Sequence, residues 1–231
     1  MTRGDDALRT PLAVDTVLFD VDGTLVDTNY QHALSWFRAF RRHDITVPVW
    51  RIHRAIGMGG DQLIASVTSD DVEAEHGEAL REAWTEEFDE VIDEVKPFAS
   101  AHDLLVAVKQ RGFQVVLASS GKAEHVERFL DLVDGADVVD AWTSSDDVEN
   151  SKPEPDLVQT ALDRVGGTSG VMIGDSTWDI VAATKAEVPT VAVRTGGFSA
   201  AELTDAGAIA VYDSLTELRD ALDGLLERVT P

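Results

Sequence analysis

Apolar runs of strand length recur along the chain, and amphipathic segments of helix length separate the later ones. The runs show little polar alternation, which is typical of strands covered on both faces. Strands and helices in turn predict an α/β fold, a Rossmann-like parallel sheet with right-handed crossovers and helices on both faces. The predicted strands are 17–21, 115–118, 138–142, 171–173, 190–193 and 208–212, and the predicted helices include 123–133, 154–165, 176–187 and 214–228.

Residues 28–96 break this alternation, because only helical periodicity is found there. The spacing places Tyr30, Ala33, Leu34 and Phe37 on one helix face, and it places a second set on one face of a long acidic segment: Leu80, Ala83, Trp84, Phe88, Val91 and Ile92. The pattern therefore predicts an all-helical insertion at 28–96. The α/β core then comprises 12–27 and 97–231, after a loose N-terminal arm at 1–11.

The composition of the 231 residues limits the partners. Forty-three acids against nineteen bases give a formal charge of −24, which argues against nucleic acid because phosphates would be repelled. The acid-rich, lysine-poor surface fits either an adaptation to high salt or a solvated face in an ordinary cytoplasm. No apolar run reaches the roughly 18 residues that a membrane span needs. We expect a cytoplasmic protein, since the first dozen residues lack the apolar stretch of a secretory signal and the chain has no cysteine.

The polar residues that follow the predicted strands are the candidates for chemistry, since ligands of an open parallel sheet bind beyond the carboxyl ends of its strands. The first strand ends in Asp20 and Asp22, within "TVLFDVDGTLVDT". Two carboxylates this close in sequence call for a cation, a shared proton or a reaction that uses both. Taken alone, Asp22 is also a common turn residue.

Three further stretches should meet these aspartates at the same edge of the sheet. They are "LASSGK" with Ser119 and Ser120, "SKPEP" with Lys152, and "IGDSTWD" with Asp175 and Asp179. Carboxylates without histidine or cysteine suit a hard cation such as Mg²⁺, while a helix start and a lysine suit a phosphate. Read singly, Asp175 and Ser119 could instead be helix caps.

In this order, "DVDGT", "LASSG", "SKPEP" and "GDSTWD" resemble the four motifs of the haloacid dehalogenase-like superfamily, whose members are mostly phosphatases. The resemblance covers the chain from about Val14 to its end. The helical insertion resembles the cap domain of the branch that includes phosphoglycolate phosphatase-like enzymes and β-phosphoglucomutase. The resemblance implies a Mg²⁺-dependent phosphoric monoester hydrolase, a monomer or homodimer, whose partner is a small phosphorylated metabolite, phosphoglycolate- or sugar-phosphate-like.

The resemblance also implies roles for the acidic residues. Asp20 would attack phosphorus and form an aspartyl phosphate. Asp22 would protonate the leaving oxygen and then take a proton from the hydrolytic water. Asp20, the backbone carbonyl of Asp22 and Asp175 would hold Mg²⁺, with Asp179 supporting the metal through water or a hydrogen bond.

The remaining motif residues would bind the phosphoryl group. Ser119 and Lys152 would hold its oxygens, with Lys152 also reducing the repulsion between Asp20 and the incoming anion. Gly23 and Thr24 would aim backbone N–H groups at the phosphate, and Ser120 is assigned to substrate binding beside Ser119.

Within the cap, "HRAIGMGGDQLI" at 53–64 carries a basic end and a glycine-rich turn. Arg54 is a candidate contact to a second anionic or hydroxylated group of the substrate, and a solvent-exposed arginine at a helix turn is the equally open alternative. His32 could face the cleft, although a satisfied surface or interface histidine is the favoured interpretation.

Other activities on this fold are weighed by the same residues. The dehalogenase branch lacks the second aspartate of the first motif, and a phosphonate hydrolase would use a cap lysine, of which 28–95 contains none. A β-phosphoglucomutase-like mutase shares the core and cap, but mutases tend to carry adjacent acids and a glycine at the position of Asp179. A non-catalytic binding protein would be expected to have lost one of the catalytic positions.

Overall fold

The structure, a computed structural model, describes residues 14–229, so the predicted arm at 1–11 lies outside the described residues. Its centre is a sheet in which every neighbouring pair of strands is parallel. The strand order is β3-β2-β1-β4-β5-β6, which confirms the α/β prediction. The strands are β1 (Thr16–Phe19), β2 (Gln114–Ala118), β3 (Ala141–Thr143), β4 (Gly170–Gly174), β5 (Thr190–Val193) and β6 (Ala210–Tyr212).

The register of the central strands aligns their carboxyl ends. Phe19, the last residue of β1, lies opposite Leu117 of β2 and Ile173 of β4. The segments that follow these three strands therefore begin at one edge of the sheet, which is where the sequence predicts the chemistry.

Four helices and a 3-10 turn lie in residues 29–94 after β1, and no strand occurs among them within the described residues, as predicted. The division of the chain into a core and a cap stays a prediction. The elements are α1 (Asn29–Arg42), α2 (Val49–His53), α3 (Gly60–Val67), α4 (Asp70–Asp89) and the turn Ile92–Glu94.

Helix α1 packs against α4 through a different face from the predicted one. Tyr30 and Leu34 are 62% and 45% exposed, so the face that the spacing defines through them is not the buried one. The buried stripe instead runs through Ala33, Trp36 and Phe40, since these positions face the apolar residues of α4. The predicted face of α4 is confirmed, with Leu80, Ala83, Trp84 and Phe88 buried.

Seven further helices lie in the rest of the described chain, one just before β2 and six after it. A tightening at Ala221, whose N–H reaches the carbonyls of both Glu217 and Leu218, divides the helix that the sequence predicts over 214–228. Helices α5 and α9 were not among the predicted elements. The seven are α5 (Ala101–Gln110), α6 (Ala123–Leu132), α7 (Asp156–Val165), α8 (Thr177–Lys185), α9 (Ala200–Ala206), α10 (Leu215–Asp220) and α11 (Leu222–Val229). None of the described helices is both long and apolar enough to span a membrane.

Candidate functional site

The turn after β1 places Asp20 at the edge of the sheet. The N–H of Asp20 still bonds to the carbonyl of Ile173 at 2.9 Å, and the carbonyl of Val21 then accepts the N–H groups of residues 24–26. The strand therefore ends at Phe19 and not at Val21 as predicted. Gly23 adopts φ +76°, and a Cβ there would lie 2.6 Å from Asp175 Oδ2. Both the left-handed backbone and the crowding require glycine.

Lys152 and two aspartates form a buried ion cluster. Lys152 Nζ lies 2.5 Å from Asp20 Oδ1 and 2.8 Å from Asp179 Oδ1, and the lysine side chain is fully buried. Burial alone would lower the pKa of Lys152, but the carboxylates of Asp179 and Asp20 raise it above its ordinary value. Lys152 is therefore an ammonium beside the candidate nucleophile, as its predicted role requires.

Asp175 joins this cluster from the end of β4. One oxygen of each of Asp20, Asp175 and Asp179 lies within 4.8 Å of the other two. Thr24 Oγ1 and Asn29 Nδ2 each donate a hydrogen bond of 2.9 Å to Asp175. Burial, followed by the charge of Asp179, raises the pKa of Asp175 to about 7. Burial likewise raises the pKa of Asp20, with Lys152 opposing it.

These carboxylates fit a divalent cation. Three buried carboxylates face a single buried ammonium, so ionising all three leaves an excess of two negative charges. Their oxygen ligands are those that a hard ion prefers, and a doubly charged ion would balance the excess. Asp179 Oδ2 is already used as an acceptor for the hydroxyl and N–H of Ser176, at 2.6 and 3.0 Å. Ser176, and not Asp175, is thus the N-cap of α8.

The carboxylate of Asp175 occupies the space that a side chain at position 196 would need, and Gly196 has none. A Cβ at Gly196 would lie 1.6 Å from Asp175 Oδ2, so we expect Gly196→Ala to push Asp175 out of the cluster. Metal affinity, measured by titration with Mn²⁺ as a paramagnetic probe, should fall by at least about tenfold. Gly224→Ala is the matched control, because no atom lies within 4 Å of a Cβ there. Equal affinity in both variants would contradict the role given to Asp175.

Asp22 faces the helical insertion. Its Oδ1 accepts a hydrogen bond from Thr28 Oγ1 at 2.9 Å and contacts His32 Nε2 at 2.8 Å. Burial opposes ionisation, but His32 and Thr28 hold the pKa of Asp22 below its ordinary value. His32 is buried and stacks on Phe88 at 4.0 Å, so of the favoured interpretations, a satisfied surface or interface histidine, the surface one is wrong. Its signal was the spacing Thr28–His32, which places both residues on one helix face.

The loop after β2 brings two serines to the same edge. Ser119 Oγ lies 3.4 Å from Asp22 Oδ2 and accepts the N–H of Gly121 at 2.9 Å. Helix α6 begins only at Ala123, with Lys122 as its N-cap, so Ser119 is not a helix cap. Ser120 Oγ is buried and has no hydrogen-bond partner in the part of the chain that the structure describes.

A cavity of about 260 Å³ connects these groups to the insertion. Asp20, Asp22 and Ser120 line it from the core side. The residues that the helical insertion contributes are His32, Trp36, Ile56, Gly57, Met58, Gly60, Asp61, Arg81 and Trp84.

Arg54 does not line this cavity. Its guanidinium lies 2.5 Å from Glu202 and over the ring of Phe198, while its carbonyl accepts a hydrogen bond from Trp178 Nε1. The arginine that the insertion supplies to the cavity is Arg81, which was not among the predicted site residues. A usable signal existed, because Arg81 is the single base in the acidic sequence 70–94.

The parallel sheet thus carries a buried carboxylate, an ammonium and an acidic cluster that could hold a cation, all at one edge. Residues 17–193 match the family model described as haloacid dehalogenase-like hydrolase. Pyrophosphatase PpaX from Bacillus cereus is 28% identical over 192 residues, which cover 79% of this chain and 84% of the relative.

Solved structures share the fold of this chain. A hydrolase from Pseudomonas syringae has 30% identity and a TM-score of 0.85, with 91% of this chain and 98% of that chain covered. A variant of CbbY from Rhodobacter sphaeroides in complex with xylulose-(1,5)bisphosphate shows the fold at 23% identity, a TM-score of 0.72 and coverages of 89% and 96%. The chain belongs to the haloacid dehalogenase-like hydrolase family, which confirms the predicted enzyme class.

Proposed function

We propose that this hydrolase is a Mg²⁺-dependent phosphatase that removes the phosphoryl group of a small phosphorylated metabolite through an aspartyl phosphate on Asp20. The arrangement that carries the proposal is Asp20 beside Lys152, within 4.8 Å of the oxygens of Asp175 and Asp179. The curated relatives are named pyrophosphatases, which supports hydrolysis at a phosphoryl group. A mutase is less favoured, because the matching family model and those relatives are hydrolases.

In the first proposed step, a carboxylate oxygen of Asp20 bonds to phosphorus while the bond between phosphorus and the leaving oxygen breaks. Lys152 lowers the repulsion between Asp20 and the phosphoryl oxygens. The leaving oxygen takes a proton from Asp22. His32 and Thr28 favour the carboxylate form of Asp22, so Asp22 takes up a proton from solvent before it acts as the acid.

In the second step, water attacks phosphorus, and the bond between phosphorus and Asp20 breaks to release inorganic phosphate. Asp22, which its depressed pKa keeps in the carboxylate form, accepts the proton of the water and then releases it to solvent. Bound at Asp20, Asp175 and the carbonyl of Asp22, with Asp179 in support, Mg²⁺ would supply charge neutralisation for the carboxylates and the phosphoryl group.

The direct test is release of inorganic phosphate from p-nitrophenyl phosphate with Mg²⁺ present. Conversion of glucose 1-phosphate that requires a bisphosphate activator, without net phosphate release, would favour the mutase instead. Absence of both activities would favour a binding protein.

Metal removal should act on both activity and stability. EDTA should abolish turnover, and added Mg²⁺ should restore it. In the metal-free protein, the pKa of Asp175 lies at about 7, above its unfolded value of about 3.9. A group whose pKa is raised on folding contributes stability that is fully present below its pKa in the unfolded chain. That stability is lost as the pH rises through its pKa in the folded protein.

We therefore expect the Tm of the metal-free protein to fall by at least about 2–4 °C between about pH 5.5 and about pH 8. Mg²⁺ should raise the Tm more at the higher pH, because it needs ionised ligands. Full activity in EDTA, or an equal effect of Mg²⁺ at both pH values, would count against these carboxylates as ligands.

A further inference from the structure

Helix α4 contributes an unused hydrogen-bond donor to the wall of the cavity. Trp84 is 8% exposed, and its Nε1 is buried without a partner among the described residues. The ring is held by stacking on Trp36 and Phe88, at centroid distances of 5.3 and 5.5 Å. A buried N–H without an acceptor is costly, and Trp84 lines the cavity. A ligand oxygen in the cavity would satisfy it.

The charged side chains that line the cavity do not favour a second anionic group on the substrate. Two cationic side chains are among the described residues that line the cavity, Arg81 and Lys122. Arg81 Nη1 lies 2.6 Å from Glu73 Oε1, and Lys122 Nζ lies 4.0 Å from Glu124. Both cations thus have acidic partners behind them. The cavity wall also carries three carboxylates, on Asp61, Asp146 and Glu149.

Helix α4 is built to keep Arg81 paired. Glu73, Gly77 and Arg81 follow each other at intervals of four, so they form one row along the helix. The carboxylate of Glu73 lies across Gly77, where a Cβ would be 2.5 Å from Oε1. Glycine inside a helix costs stability, and here it leaves room for the bridge that runs over two turns.

We propose that the cavity selects a leaving group that is uncharged and bears hydroxyl groups, in preference to a leaving group that carries a carboxylate or a second phosphate. The inference rests on the proposed phosphatase activity and narrows its substrate class. Trp84 donates to a hydroxyl oxygen of the leaving group. Glu73 cancels the charge of Arg81, so the wall stays acidic and repels a second anion.

A matched pair of esters tests the selectivity. Glycerol 3-phosphate and 3-phosphoglycerate differ by a hydroxymethyl group in place of a carboxylate, and the wild-type enzyme should have the higher kcat/KM for glycerol 3-phosphate. Glu73→Gln frees the charge of Arg81, so it should shift the ratio toward 3-phosphoglycerate by about tenfold. Turnover of p-nitrophenyl phosphate should be unchanged.

A second variant separates selectivity from folding. Gly77→Ala should displace the Glu73 carboxylate and shift the ratio in the same direction, although alanine favours the helix. If both variants keep the wild-type ratio, Glu73 does not control the charge at this wall and the proposal is overturned.

The donor has its own test. Trp84→Phe keeps an aromatic ring but removes the N–H, so the ratio of kcat/KM for glycerol 3-phosphate to kcat/KM for p-nitrophenyl phosphate should fall about three- to tenfold. Trp50→Phe is the control, because Trp50 is 70% exposed and lies outside the cavity. Equal loss on both substrates would show a structural role for Trp84 and contradict its role as donor.

Failure of this inference is distinguishable from failure of the proposed function. An enzyme that releases no phosphate from p-nitrophenyl phosphate or either ester refutes the phosphatase, and the selectivity with it. Turnover of p-nitrophenyl phosphate without a preference for glycerol 3-phosphate over 3-phosphoglycerate overturns the selectivity alone.

Discussion

Asp20→Asn is expected to lower kcat for phosphate release by several orders of magnitude. The amide is nearly the same size as the carboxylate but is neutral and a poor nucleophile, so the aspartyl phosphate cannot form. The substitution also removes one buried negative charge from a cluster in which Asp20 faces both Asp175 and Asp179. The fold should therefore persist, with a Tm at neutral pH no lower than that of the wild type. Phosphate release and thermal unfolding measure the two effects.

Asp27→Asn is the matched control, since Asp27 lies in the same segment but is exposed. It should retain wild-type turnover and stability. Undiminished turnover in Asp20→Asn would refute the nucleophile assignment, and a large loss in the control would point to a general sensitivity of this segment.

The sequence was sufficient for the sheet because its strands are continuous apolar runs. It was less informative where an apolar run enters a turn. Residues 138–140 precede β3 without joining it, since the N–H groups of Val138 and Val139 bond to the carbonyl of Gly135 instead of to a strand. Apolar character alone does not distinguish a strand from a buried turn.

Helix faces in the insertion show a second limit. Helical spacing is compatible with a face through Tyr30 and Leu34 as well as with one through Trp36 and Phe40. The second is buried, because α4 presents Trp84 and Phe88 to it. Tertiary packing decided between two faces that periodicity alone left open.

The candidate site also contains residues that the sheet topology predicts and residues that it does not. Asp20, Lys152, Asp175 and Asp179 meet because parallel strands end at one edge, and that geometry follows from topology alone. Arg54 and Arg81 depend on how the insertion lies against the core. No local pattern contains that relation, so the sequence indicated Arg54 while the cavity contains Arg81.

Lys152→Met is expected to abolish turnover and to destabilise the fold in a pH-dependent manner. The substitution keeps much of the buried volume but leaves Asp20 and Asp179 without their ammonium partner. Removing one member of a buried pair costs about 3–5 kcal/mol. The pKa values of Asp20 and Asp175 already lie above their ordinary value, and the loss of Lys152 should raise that of Asp20 further.

The sign of the pH dependence follows from these raised values. Protonated carboxyl groups need no partner, so the variant should approach wild-type stability at about pH 5 and lose it as the pH rises toward about 8. The lysine does not set this window, because its own raised pKa keeps it charged throughout. Denaturant unfolding at both pH values measures the difference.

Lys185→Met is the control for the loss of an ion pair as such. Lys185 Nζ lies 2.7 Å from Glu154, but both side chains are about 40% exposed, so the pair should contribute about 1 kcal/mol or less at either pH. If Lys152→Met were equally unstable at both pH values, lost packing would explain it. Lys152 would then be a structural side chain, and the balance of charge at the edge of the sheet would have to come from the cation alone.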